Sequence, residues 1–269
     1  MNVTFGFIGC GNMGGALAAA VARSAPNAKL LLCDACAEKA ASLAQTLGAE
    51  ATDLEAVALQ SDHLFLGVKP QTLPTLFETL TPLLSRREVA PVLISMAAGI
   101  SLSTLSGYVG EGTPIIRIMP NMPASVGEGM ILYTPNASVS EPALAVFLAA
   151  MSGAGMLDRI DEERIDAASA LSGCGPAFVY LFAEALADGA VACGLPRDKA
   201  LLYASQTLAG ASKMLLETGM HPAALKDAVC SPGGTTIEGV KALEDGAFRA
   251  ATMQAVIAAY EKTLKMGKK

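Results

Sequence analysis

Histidine is nearly missing from this sequence, with two in 269 residues, His63 and His221. Neither has a partner at metal-ligand spacing. A zinc site built on the Cys33-x-x-Cys36 pair would need a second pair of ligands that the chain does not offer, so no metal is expected. The six cysteines therefore read as reduced thiols of a cytoplasmic protein rather than as a metal or disulfide framework. Positive charge is also short: 19 Lys and Arg stand against 25 Asp and Glu, a net charge of −6, so nothing speaks for nucleic acid as a partner. No unbroken apolar run reaches the roughly 18 to 20 residues of a membrane span. The N-terminus enters an apolar strand without a basic leader or cleavage site, so no export and no membrane are expected. Tryptophan is absent, which excludes nothing. Charged residues make up only 16 % and hydrophobic residues 52 %, ample material for a large core and more than one chain can readily hide. The length carries a soft expectation of about two domains.

The chain is organised around its first stretch. An apolar run, Val3 to Ile8, has the character of a buried parallel strand. It ends in Gly9-Cys10-Gly11-Asn12-Met13-Gly14, and a helix-forming segment, Gly15 to Val21, follows. Strand, glycine turn and helix together make a dinucleotide-binding fingerprint. Gly9 permits the tight turn, Gly11 leaves space for a pyrophosphate against the backbone, and Gly14 lets the helix pack close to the strand. The helix N-terminus offers free N–H groups and partial positive charge to phosphates.

A second strand, Lys29 to Cys33, ends in Asp34, 20 residues past the last glycine. An acid there accepts ribose hydroxyls and repels a 2′-phosphate, which leans toward NADH; the alternative is an N-cap for the helix Ala37 to Leu47. A strand from Asp62 to Val68 runs into Lys69-Pro70-Gln71, and the residue before proline must turn out at the strand's carboxyl end, where open α/β sheets hold ligands. Lys69 there either faces the cofactor or is simply solvated. His63, at the other end, reads as structural. The strand Pro91 to Ser95 leads into Met96-Ala97-Ala98-Gly99, whose small side chains allow a nicotinamide to lie against the backbone. The strand Ile115 to Met119 leads into Pro120-Asn121-Met122-Pro123, a stiff loop whose Asn121 either points at a ligand or bonds its own backbone. A further strand over Gly127 to Tyr133 and a helix over Pro142 to Met151 complete the alternation. It predicts an α/β class, a doubly wound Rossmann-type sheet over residues 1–158.

Residues 159–269 change character to long helices. Ala177 to Cys193 carries only Glu184 and Asp188 as charges, and Leu201 to Ser212 carries none. Helices apolar all round must be buried all round. In so small an all-helical domain that predicts a second subunit, an intertwined homodimer or a higher homo-oligomer. Gly175-Pro176 opens the first long helix. Ser231-Pro232-Gly233-Gly234-Thr235-Thr236 opens another, either as a cluster of backbone and hydroxyl donors suited to a small carboxylate or as an ordinary N-cap. His221, before Pro222, reads as a cap.

These segments together resemble the pyrroline-5-carboxylate reductases over nearly the whole chain. The resemblance rests on Phe7 to Gly14, Val68 to Gln71, Met119 to Pro123, Leu171 to Ala177 and, most specifically, Asp227 to Ile237. It implies reduction of the cyclic imine Δ1-pyrroline-5-carboxylate to L-proline by NADPH or NADH. It implies that Gly9, Cys10, Gly11, Asn12, Met13, Gly14, Val68, Lys69, Pro70, Met96, Ala97 and Ala98 contact the cofactor. By the same resemblance Glu162, Ser231, Gly233, Gly234, Thr235 and Thr236 lie by the substrate, with Thr236 Oγ on the imine nitrogen. Family members mostly favour NADPH, with which Asp34 sits awkwardly. A β-hydroxyacid dehydrogenase would carry a lysine in the first long helix, and Ser172 to Arg197 has none. A non-catalytic nucleotide sensor would have no use for Gly233 to Thr236.

Overall fold

The computed structural model describes residues 3–266; Met1, Asn2 and residues 267–269, which fall at the ends of the two expected domains, lie outside the described residues. The chain divides into two compact units. One runs to Cys174 and takes in the chain from Ala259; the other is Gly175–Ala258.

The first unit is built on an eight-stranded sheet of order β3-β2-β1-β4-β5-β6-β7-β8. Its strands are β1 Thr4–Ile8, β2 Lys29–Cys33, β3 Glu50–Ala51, β4 His63–Leu66, β5 Val92–Ser95, β6 Ile115–Met119, β7 Gly129–Pro135 and β8 Gly155–Arg159. All neighbours are parallel except β6 and β7. The helices are α1 Asn12–Ser24, α2 Ala37–Leu47, α3 Leu54–Gln60, α4 Leu73–Leu84, α5 Leu102–Val109, α6 Glu141–Met151 and α7 Glu162–Ser172.

Strand alternation sorts the apolar side chains onto two faces. Phe5, Phe7, Phe65, Ile94, Ile116 and Ile118 pack with α1 and α6 side chains such as Leu17, Val21 and Phe147. Ile8, Leu64, Leu66, Leu93 and Ile115 pack on the other side with Val57, Leu73, Phe77 and Leu105 of α3, α4 and α5. Helices on both faces make the sheet doubly wound, as the sequence predicts. Winding reverses at β1, which pairs with β2 on one side and β4 on the other. That reversal opens a crevice at the carboxyl ends of β1 and β4.

The first unit extends past the 158/159 division. Ile165 of α7 is fully buried against Met119 and Leu132 of the sheet, so α7 belongs with the strands it covers. Several short elements have no individual signal in the sequence, among them β3, α3 and β8.

The second unit holds α8 Gly175–Ala192, α9 Arg197–Thr218, α10 Pro222–Ala228, α11 Thr235–Asp245 and most of α12 Phe248–Met266. Small residues let α8 and α9 approach closely: Ala187, Ala200 and Ala204 are buried, with Ala190, Val191 and Leu195 around them. The complete burial expected of these helices is not met within one chain. Tyr180, Leu181, Leu202, Tyr203 and Leu216 are all exposed. The segment Glu162–Ala192 contains a window long and apolar enough to cross a bilayer by length and composition, because mean hydropathy tolerates the few charges that break an uninterrupted run.

Candidate active site

The glycine turn closes the β1 end of the crevice. Gly9 adopts φ +100°, a conformation that favours glycine. Its N–H donates to Cys33 O (2.8 Å), and the Gly67 N–H donates to Ile8 O (2.7 Å). A Cβ on Gly14 would lie 2.0 Å from Gly9 O, and one on Gly67 would lie 2.7 Å from the same oxygen. These two glycines therefore let α1 and the β4 exit press onto the turn. Gly11 is different. It is exposed, its φ of −72° suits any residue, and a Cβ there would meet nothing within 4 Å. The protein's own packing does not require glycine at 11, whereas a ligand drawn close to the backbone would. The first turn of α1 carries no acid, and its leading N–H groups have no intrahelical acceptor. This cradle fits a dinucleotide pyrophosphate. Asn12 is exposed, while Cys10 and Met13 are half-buried. Burial first, and the Asp34 charge second, push the Cys10 thiol up to about 11, so it stays a neutral packing group.

Asp34 lies beside that turn with both oxygens engaged. Oδ2 accepts the Cys10 N–H (2.7 Å) and Oδ1 the Cys36 N–H (2.9 Å). The N-cap of α2 is Cys36, with no side-chain bond, so the alternative role expected for Asp34, a helix cap, gives way to a turn that also ties β2 to the glycine loop. Lys69 is exposed on extended backbone and Val68 and Pro70 are half-buried at the same sheet edge. Met96 and Ala98 are half-buried and Ala97 is buried; Gly99 turns the loop with φ +73°.

Asn121 is not a free polar tip. It is buried, its Nδ2 donates to Ser172 O (2.9 Å) and its Oδ1 accepts the Met130 N–H (3.0 Å), so the amide fastens the loop between β6, β7 and α7. Glu162 is likewise committed. Its Oε1 accepts the Leu102 N–H (2.6 Å) and lies 3.1 Å from Arg117 Nη1. His63 is buried at the amino end of β4 with Nε2 3.0 Å from Ala143 O, and burial pushes its pKa down. It is structural, as expected, and His221 Nδ1 accepts the Ala223 N–H (3.2 Å) as the expected cap.

In the second unit, Ser231, Gly233, Thr235 and Thr236 are exposed around the start of α11. Gly233 takes φ +66°. The Gly234 N–H, expected to face a carboxylate, instead donates to Ser231 O (3.0 Å) within the turn. The open donors are the first-turn N–H groups of Thr235 and Thr236 and their hydroxyls.

Residues 162–266 match the family model described as pyrroline-5-carboxylate reductase dimerisation, and residues 4–99 match the one described as NADP oxidoreductase coenzyme F420-dependent. The pyrroline-5-carboxylate reductase of Methanosarcina acetivorans is 41 % identical over 100 % of this chain and 99 % of that protein. The chain belongs to the pyrroline-5-carboxylate reductase family. The crystal structure of the Plasmodium falciparum enzyme with NADP bound has a TM-score of 0.85 at 32 % identity, covering 99 % of this chain and 100 % of that one. The Coxiella burnetii reductase has a TM-score of 0.89 at 30 % identity, covering 98 % of each. The family's fold, a Rossmann-type sheet followed by a helical region, is the fold described above.

Two residues that shape this edge have no role in the sequence reading. Gly67 directly follows a strand at its carboxyl end, a signal that was there to read. Arg117 is a charge in the middle of the apolar run Ile115-Ile116-Arg117-Ile118-Met119, and such an intrusion marks a buried partner even when the partner cannot be named.

Proposed function

We propose that the protein reduces Δ1-pyrroline-5-carboxylate to L-proline with NADPH or NADH. The observation that carries this is kinship over the full chain, which includes the Ser231-Pro232-Gly233-Gly234-Thr235-Thr236 helix start. The cofactor brings the hydride, so the protein needs no nucleophile and no strong base. That suits a chain whose two histidines serve the fold. In this reading Gly9 to Gly14 hold the pyrophosphate, Asp34 and Lys69 flank the ribose and its phosphate, and Met96 to Ala98 support the nicotinamide. The N–H groups at the start of α11, with Gly233, take the substrate carboxylate. The Thr236 hydroxyl bonds the imine nitrogen, which carries the proton while its carbon neighbour accepts the hydride pair.

The sheet of residues 1–158 forms the nucleotide-binding part, and residues 159–269, of which α7 packs on that sheet, form the substrate-binding and dimerising part. Self-association follows from the family; the homodimer, or a higher assembly of it, is supported by the apolar side chains left exposed on α8 and α9. Partners beyond a second copy and the small substrate, such as nucleic acid or a membrane, are not part of this reading. Six unpaired thiols suit a cytoplasmic location. The test is oxidation of NADPH and NADH by the purified protein with and without the imine. One proline formed per cofactor oxidised is expected. No imine-dependent oxidation by folded protein would overturn the reading.

A further inference from the structure

The interior of the first unit holds a charge that this reaction scheme leaves unused. Arg117 lies mid-strand between Ile116 and Ile118, both fully buried, and its own side chain is 4 % exposed. Nη1 lies 3.1 Å from Glu162 Oε1 and Nη2 2.6 Å from Asp166 Oδ1. The carboxylates are four residues apart on α7, so they present themselves on one helix face. Nε has no partner among the described residues. Burying an ion costs several kcal/mol and an unpaired donor adds to that. An aliphatic side chain, like its neighbours, would fill the position more easily.

The geometry around Arg117 supplies a use. Arg117 is in register with Ser95, the last residue of β5, so the chain leaves the sheet at Met96 directly beside it. The chain next enters regular structure at Leu102, whose N–H is held at 2.6 Å by the same Glu162 oxygen that pairs with Arg117. The loop 96–101 therefore leaves the sheet beside the Arg117 backbone and is fastened at its far end by the carboxylate that the Arg117 guanidinium holds. Between those ends Ala97 is buried, and Ala98 packs against Met119, Leu132 and Ile165.

We propose that Arg117 is a positioning residue for the reduction, acting through Glu162 to fix the loop 96–101. The inference rests on the proposed function, in which that loop supports the nicotinamide, and it gives Glu162 a task other than touching substrate. Hydride transfer is steep in distance, and a displacement of about 1 Å costs on the order of a hundred-fold in rate. Lysine at 117 would keep the charge but lose the fork that spans two carboxylates.

The test compares wild type with Arg117→Lys and with Glu162→Ala, which leaves the packing of β6 intact should the first variant fold poorly. Amide hydrogen exchange is measured on the cofactor-free protein, and kcat, imine KM and nucleotide Kd on the same preparations. Exchange over 97–102 is expected to quicken by about ten-fold or more while the glycine turn stays protected. The kcat is expected to fall roughly ten- to a hundred-fold, with KM and Kd within about three-fold of wild type. Unchanged exchange over 97–102 in a folded variant overturns the proposal, and so does faster exchange with unaltered kcat. A wild type that does not reduce the imine overturns the proposed function instead, and the exchange result still decides whether Arg117 fastens the loop.

Discussion

Substituting alanine at Gly11 and, separately, at Gly14 divides folding from cofactor binding. At Gly11 the new Cβ meets nothing within 4 Å and the backbone, φ −72° and ψ −171°, suits alanine. The entropy gained by replacing a glycine, about 0.4–1 kcal/mol, offsets alanine's poorer fit at an N-cap, about 0.5–2 kcal/mol. The cofactor-free protein should therefore melt within a few degrees of wild type, at about 2–4 °C per kcal/mol for a domain this size. Binding should suffer, because the methyl occupies the space left for the pyrophosphate. Losing one or two hydrogen bonds between N–H and charged phosphate, at about 1.5–3 kcal/mol each, raises the nucleotide Kd at least roughly ten-fold and up to roughly twenty-thousand-fold. At Gly14 the Cβ would lie 2.0 Å from Gly9 O, a backbone atom that has Gly67 behind it. Overpacking of this kind costs about 1–3 kcal/mol, so Tm should drop by roughly 2–12 °C before any ligand is added. Thermal melts without nucleotide and fluorescence titration with NADPH read the two effects separately. Wild-type affinity in Gly11→Ala would refute the assignment of this turn to the pyrophosphate.

Thr236→Ala should lower kcat roughly ten- to a hundred-fold, the loss of one hydrogen bond to a charged group, and Thr236→Ser should restore most of it; wild-type turnover in the alanine variant removes the hydroxyl from the mechanism. Asp34→Asn takes a negative charge from beside the proposed ribose site, an effect of about 1–4 kcal/mol on a phosphate at about 4 Å, so the kcat/KM ratio of NADPH to NADH should rise about five-fold or more; an unchanged ratio would leave Asp34 as a strut of the glycine turn alone. His63 has its pKa pushed below the ordinary value by burial, against the smaller opposing effects of Ala143 O and Asp62. Its neutral form is the one that fits the fold, so the unfolded chain binds the extra proton first. Stability should be intact above the ordinary imidazole value of about 6.5 and fall as pH drops below it. Melting curves of wild type and His63→Gln across that range check this, and equal slopes would refute it.

What the sequence disclosed was what short-range chemistry dictates. The order of apolar strands, the glycine turn at Gly9 to Gly14 and the cap at His221 depend on neighbours a few residues apart, and they stand where the pattern puts them. What it hid depends on which strand lies beside which helix. Asn121 in a proline-bracketed loop has the look of an exposed tip until β7 and α7 close over it and take both ends of its amide. Glu162 looks like an acid free to meet a ligand until β6 brings Arg117 beneath it. The Gly234 N–H looks available until Ser231 O, three residues back, accepts it. In each case a polar group that the sequence leaves open to a ligand has a partner in the chain's own backbone or ions, as polar groups taken out of water require.

Two oddities of composition then have one explanation each. The surplus of apolar residues is not hidden by the chain itself. It remains on α8 and α9, with Leu181 at 68 % and Leu216 at 73 % exposure, far beyond scattered surface leucines and in the region that matches the family's dimerisation model. A helix this apolar in a small domain calls for a surface to cover it, and the match to the family's dimerisation model points to a second copy. The shortage of histidine is compatible with the proposed reaction. Adding hydride to an already protonated imine puts the demand on orientation rather than on proton transfer. In the proposed reading the chain meets it with backbone N–H groups, a threonine hydroxyl, glycines that open space, and a buried arginine that holds a loop still.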